Sequence, residues 1–328
     1  MTETDARPTT FVTGGCGFIG YALCHRLAAA GHQVVAYDDL SRGRRENLPD
    51  AARLIEGDIN NPRLPEILSN VRPQAVVHLA AIHYLPECAA RPDETKAVNV
   101  DGTRRVLEAC TAAGVRRVVF ASTAAVYAPA DVPCSEDGTP VGPIEVYGES
   151  KLAGERLVEA CCRDTGIAAT VLRISNAIGR RETNPHVVPH IFESLRASNL
   201  VPLGSLEAER DYIDTRDVAR AMLAVLHSSA GYQVFNVGTG VAHSVADIVA
   251  TLRRILDRPI EIRQDPARLR PVERRRLVSD IGRIRRATGW TPGVTFKETL
   301  RDLIDFYALG ADGGRNPDSA HPTRTPSP

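Results

Sequence analysis

Tyr147 and Lys151 stand four residues apart in YGESK, and on a helix that spacing puts a phenol and an ammonium on one face. A free tyrosine ionises at about pH 10, and a neighbouring lysine stabilises the phenolate and brings it toward working pH. The pair therefore reads as a base. Upstream, FASTAAVY sets Ser122 and Thr123 at the end of a β-patterned run, where ligands of α/β sheets bind. A different chemistry is written in FVTGGCGFIG, where Gly14, Gly15, Gly17 and Gly20 fall within seven residues. Glycines also mark ordinary turns, but these follow a strand pattern and open an amphipathic helix, and the next strand ends in Asp38 and Asp39. In that setting the glycines permit a tight turn, a close approach of backbone N–H groups to a pyrophosphate, and close helix–strand packing. Asp38 would accept hydrogen bonds from both hydroxyls of an adenosine ribose and repel a 2′-phosphate, which favours NAD over NADP.

These groups need a frame to hold them. TTFVTG, QVVAYDD, ARLIEGDI, QAVVHLAA and RRVVFAST alternate with helix-like runs, including one through Thr95 to Ala113. That rhythm predicts a Rossmann-type, doubly wound parallel sheet at residues 1–175, with 214–240 returning to it. The looser stretches 176–213 and 241–309, with helices at Val188–Ala197 and Val245–Leu256, predict a smaller α/β substrate lobe. The Gly, Pro, Ser and Thr-rich tail at 310–328 reads as disordered. Across 328 residues, 40 basic side chains balance 40 acidic ones, so nothing draws the chain to nucleic acid or an anionic membrane. No apolar run reaches the roughly 18 residues of a membrane span and no signal peptide opens the chain, so a cytoplasmic protein is expected. The seven cysteines form no CxxC pair, and neither a disulfide framework nor a metal site is expected from them.

Taken in order, TGGCGFIG, DDLSRG, GDI, HLAA, NVDGT, YxxxK, LRISNAIG, RDYI, FNVGTG and ATGWTP resemble the extended short-chain dehydrogenase/reductases over roughly residues 8 to 308. Within them the chain is most similar to the NAD-dependent nucleotide-sugar 4-epimerases typified by UDP-glucose 4-epimerase. The resemblance implies that Gly14, Gly17, Phe18, Ile19, Gly20, Asp38, Asp58, Ile59, Ala80, Ala81, His83 and Asn99 hold NAD, together with Tyr147 and Lys151. It implies a catalytic Thr123, Tyr147 and Lys151, and a substrate contacted by Ser122, Thr123, Tyr147, Asn176, His186, Arg210, Arg270 and Glu273. His83 and His186 depart from the family's usual lysine and asparagine, and a lone histidine also has an ordinary structural reading. Leu277 falls where bulk limits N-acetylated sugars in relatives, but leucine is neither of the familiar residues there.

The implied reaction is transient oxidation of a nucleoside-diphosphate sugar at C4 and hydride return on the other face. Related dehydratases carry an Asp-Glu pair after the threonine, decarboxylases a glutamate, and 3,5-epimerising reductases a cysteine in that segment. This chain has Ala124 and Ala125, neither of which moves a proton. What stays open is 4-epimerisation, 4-ketoreduction with the same three residues, or a non-catalytic protein on the same scaffold. By the same analogy the chain forms a homodimer through the helices at Thr95–Ala113 and Tyr147–Thr165.

Overall fold

The computed structural model describes residues 7–227, 231–269 and 274–310. Arg270, Glu273 and the expected tail from residue 311 onward lie outside the described residues.

The apolar runs become strands β1 (Thr9–Thr13), β2 (Gln33–Asp38), β3 (Arg53–Glu56), β4 (Ala75–His78), β5 (Arg117–Thr123) and β6 (Ala168–Ile174). Between them lie α1 (Phe18–Ala29), α2 (Leu64–Val71), α3 (Leu85–Ala90), α4 (Pro92–Lys96), α5 (Thr103–Ala112) and α6 (Val146–Thr165). Beyond β6 come β7 (Asn176–Ile178), α7 (Val187–Ala197), β8 (Leu200–Leu203), β9 (Glu209–Asp214), α8 (Thr215–Val225) and β10 (Tyr232–Val237). The chain closes with β11 (Ala242–His243), α9 (Val245–Leu256), β12 (Glu261–Gln264), β13 (Arg276–Leu277), α10 (Gly282–Thr288) and α11 (Phe296–Phe306). The helix expected from Thr95 starts earlier, at Pro92, because proline suits a first helical turn. It then widens into a π turn at Ala97–Gly102, which carries Asn99.

Seven parallel strands form the main sheet in the order β10-β6-β5-β4-β1-β2-β3. Both faces are covered, which is why its strands read as apolar runs rather than alternating ones. Leu23 and Leu27 of α1 with Val218 and Met222 of α8 cover one face, and Leu68, Val106 and Val158 of α2, α5 and α6 cover the other. Burying each such side chain is worth about 1.5–3 kcal/mol. A separate core joins α7, α9 and α11 through Ile191, Phe192, Ile248, Leu252, Leu300 and Leu303. Cys16, Cys24, Cys88, Cys110 and Cys134 are buried, and all seven cysteines are free thiols.

The strand order turns between β1 and β4. In a doubly wound sheet the crevice beyond the carboxyl ends at that turn is the ligand position. The glycine loop, Asp38, Ala80, Ala81 and Thr123 all lie at or just past those carboxyl ends.

Candidate active site

The glycine loop separates two demands. A Cβ on Gly20 would stand 2.3 Å from the Gly14 carbonyl oxygen, so helix α1 could not pack on its own loop. Gly14, at φ +69°, would put a Cβ 2.8 Å from the Ala80 amide nitrogen. Gly17 differs, since a Cβ there meets only the Gly14 carbonyl, at 3.3 Å. Its bareness serves space outside the protein rather than packing within it. No side chain caps α1 and no acid sits in its first turn, which leaves the amides of Phe18, Ile19 and Gly20 directed at that space.

Asp38, 7% exposed, ends β2 beside the loop. Its carboxylate accepts the Cys16 N–H and the Leu40 N–H, each at 2.9 Å. Burial, with Asp39 adding, raises its carboxyl above the usual carboxylate range, and the Leu40 and Cys16 amides lessen the rise. A carboxylate has room for further hydrogen bonds beyond these two, as a pair of neighbouring hydroxyls would supply. Asp58 is exposed and accepts the Asn60 N–H at 2.7 Å, while Ile59 beside it is buried.

Thr123 closes β5 and its Oγ1 accepts the Ala125 N–H at 3.1 Å. The Tyr147 phenol, at the start of α6, lies near enough to the Thr123 hydroxyl for Thr123 to lower its pKa. Burial pushes the phenol well above the ordinary tyrosine range, the nearby Cys88 adds to this, and Thr123 opposes it. One turn on, Lys151 is 3% exposed, with its Nζ 4.8 Å from the centre of the Phe120 ring. Burial lowers its ammonium to about 8. The phenol thus keeps its proton until positive charge enters the site.

A glycine-loop cradle, a ribose-ready acid and a Thr-Tyr-Lys group now stand on one sheet edge. Residues 10–238 match the NAD dependent epimerase/dehydratase family. The chain belongs to this family. The UDP-glucose 4-epimerase of Azospirillum brasilense is 36% identical over 312 residues, covering 88% of this chain and 89% of the relative. The GDP-6-deoxy-D-mannose reductase of Pseudomonas aeruginosa is 33% identical over 308 residues, covering 90% of this chain and 96% of the relative. Among solved structures, the UDP-glucose 4-epimerase of Thermotoga maritima with UDP-glucose superposes with a TM-score of 0.85 at 30% identity, over 92% of this chain and 99% of that one.

The cradle fits the cofactor of an NAD dependent epimerase/dehydratase. Open space before Gly17, the uncapped α1 amides and the half-used Asp38 carboxylate match a pyrophosphate and an unphosphorylated ribose. Asp38→Asn should weaken NAD binding by about 10–100-fold, the loss of a charge-assisted hydrogen bond or two. Calorimetric titration of the cofactor-stripped protein measures it, and an unchanged affinity would remove Asp38 from the ribose site.

Other expected residues of this family member fall in different places. Ser122 is not brought to the phenol: its hydroxyl donates to the buried Glu155 at 2.5 Å. Asn99 braces the site, with its amide oxygen accepting the Ile82 N–H and its Nδ2 donating to the Ile82 carbonyl and to Ser150. Asn176 is exposed at the start of β7. Arg210 on β9 donates to the carbonyls of Glu209 and Arg274 at 2.8 and 2.9 Å. Leu277 is buried with Ala124, Val126 and Tyr127 rather than lining open space.

His83 and His186 come together, ring centres 5.8 Å apart. Burial lowers the His83 imidazole to about 4, with Lys151 adding to the effect. Glu182 and Asn184, which completed no motif, join them: Asn184 Nδ2 lies 3.0 Å from His83 Nε2. A second residue without a sequence signal is Arg274, buried beneath the loop that follows Thr123. Its guanidinium donates to the Tyr127 carbonyl at 2.5 Å, to the Ala125 carbonyl at 2.9 Å and to Glu145 at 3.3 Å. In the sequence it is one arginine in RLRPVERRR, and nothing there separates it from a solvated charge run.

Proposed function

We propose that this enzyme is an NAD-dependent 4-epimerase of a nucleoside-diphosphate sugar, with a UDP-sugar favoured. The observation that carries the reading is the assembled Thr123–Tyr147–Lys151 group, followed by Ala124 and Ala125. NAD held by the glycine loop and Asp38 would supply hydride transfer at C4, and its oxidised nicotinamide would bring positive charge to the site. Tyr147, as phenolate, removes the proton of the 4-hydroxyl and later gives it back to the C4 oxygen. Thr123 shares the hydrogen bond of that oxygen through both transfers. Lys151 keeps a positive potential at the phenolate. Ala124 and Ala125 offer no proton at C5 or C6, so a 4-keto sugar formed here goes back to an alcohol rather than on to elimination. The sugar turns in the pocket and the opposite face is reduced.

Sequence similarity to the GDP-6-deoxy-D-mannose reductase keeps one alternative, simple reduction of a 4-keto sugar. The separating experiment incubates the purified protein, with no added cofactor, with UDP-, dTDP- and GDP-hexoses, hexuronic acids and N-acetylhexosamines, and follows the sugar H1 and H4 proton NMR signals. The expected result is a C4 epimer that reaches one ratio from either side. No epimer across the panel, with turnover of a 4-keto sugar on added NADH, would establish the reductase instead.

Among the described residues no helix is long and apolar enough to cross a membrane. A cytoplasmic place, and a homodimer packed through α5 and α6, belong to the same proposal.

A further inference from the structure

His83 follows β4, while Glu182 and His186 lie in the loop that enters α7, and their ligating atoms fall within 4.8 Å of one another. Among the described residues no other group of three histidine, cysteine or carboxylate side chains gathers this way. His83 receives the Asn184 side-chain amide, a donor, at its Nε2 at 3.0 Å. Accepting there leaves the proton of the neutral ring on Nδ1 and aims the Nε2 lone pair into the cluster, the lone pair a metal ion would take.

Glu182 is 6% exposed, and its hydrogen bonds come from the backbone at Thr183 and Asn184 and from the Asn184 side chain. No cation is among them, and a buried carboxylate without one is costly. Asn184 therefore gives its side-chain amide to His83 at 3.0 Å and its backbone N–H to Glu182 at 2.8 Å, so a neutral donor residue stands between them. His186 closes it from the N-cap of α7.

We propose that His83, Glu182 and His186 form a binding site for one divalent transition-metal ion of the zinc or cobalt class, which displaces the Asn184 amide and keeps one coordination position open. Two imidazoles and a carboxylate are a donor set for such ions, with metal–ligand distances of about 2.0–2.2 Å. Tetrahedral ligands then stand about 3.3 Å apart, a closure that turning the side chains about their χ angles supplies. The charge of Lys151 reaches His83 and opposes a cation, and the Glu182 carboxylate offsets it. The ion would fasten the loop after β4 to the loop before α7, beside the catalytic group, and so goes beyond the epimerase reading without depending on it.

The test titrates tag-free, chelator-treated protein with Co²⁺, following its visible d–d absorption, and then competes with Zn²⁺. One saturable site per chain is expected, with a nitrogen–oxygen spectrum lacking thiolate charge transfer. Glu182→Gln and His186→Ala should each weaken it by at least about 10–100-fold, the loss that even outer contacts of a metal cause. Asn184→Ala removes the competing donor and should tighten binding. Circular dichroism without metal shows which variants are folded, and His186→Ala decides if Glu182→Gln is not. Absence of a saturable site in the unsubstituted protein, thiolate absorption, or equal affinity in the folded variants overturns the proposal. So does a loss in Asn184→Ala as large as that in His186→Ala.

Discussion

Tyr147→Phe should lower the epimerisation rate by on the order of 10²–10⁴-fold, the usual worth of a positioned acid–base group, while NAD binding persists. The ring stays and only the phenol oxygen is removed, so the loss falls on proton transfer. The measurement is kcat from the NMR time course, with cofactor content checked on the same sample. Near-normal kcat would place the base elsewhere. A companion change fixes the electrostatics. Lys151→Met removes a positive neighbour of the phenol, its proton is held more firmly, and the acid limb of the pH–rate profile should move to higher pH. In the free protein the ammonium is itself lost above about 8, so this support weakens on the alkaline side. An acid limb that stays in place would leave Lys151 with cofactor binding only.

Glu155→Gln should cost roughly 3–5 kcal/mol of stability, the penalty for leaving a buried charge without its partner. The Glu155 carboxylate receives Arg173 Nε at 3.0 Å, Arg173 Nη2 at 2.7 Å and the Ser122 hydroxyl at 2.5 Å, with both ionic side chains buried. The far face of the Arg173 guanidinium lies 4.8 Å from the Tyr127 ring centre, and the Tyr127 hydroxyl donates to Asn236 at 2.7 Å. One pair thus ties α6, β5, β6 and β10 together behind the strand that ends in Thr123. Against a typical total of about 5–15 kcal/mol, such a loss is severe. Urea unfolding measures it, and a double replacement of Glu155 and Arg173 by apolar residues should cost less than the single change. A Glu155→Gln midpoint close to that of the parent would mean water or a nearby group neutralises Arg173.

Much of the frame was legible because buried parallel strands are written as apolar runs. The helix Val245–Leu256 lies where its pattern put it, since a Ser244 capping box starts it. The placement of Thr123, Tyr147 and Lys151 was equally legible, as they sit on local spacings that a strand end or a helix turn converts into geometry. Ser122 shows the limit. Along β5, Phe120 packs with the α6 face of the sheet and Ala121 with the other, and period-two alternation sends Ser122 after Phe120, toward Glu155. That alternation is present in RVVFAST and sets Ser122 on the face opposite Thr123. The histidine–glutamate cluster was out of reach in principle, because His83 and Asn184 are 101 residues apart and meet only through the fold. Arg274 was hidden likewise: burial beneath Ala125 and Tyr127, and not charge, distinguishes it from its neighbours.

The return of β10 sets a condition on how this chain comes to exist as a folded molecule. β6 is buried along its whole length and bonds β5 on one side and β10 on the other, from residues 232–237. A nascent chain that has reached only β6 carries an apolar strand with an open edge, the template for pairing with another chain. That edge stays uncovered until more than fifty further residues have been made, at a synthesis rate of about 5–20 residues per second. The cofactor-binding half is therefore not severable at residue 175, and fragments cut there should aggregate unless the stretch carrying α8 and β10 is supplied in trans.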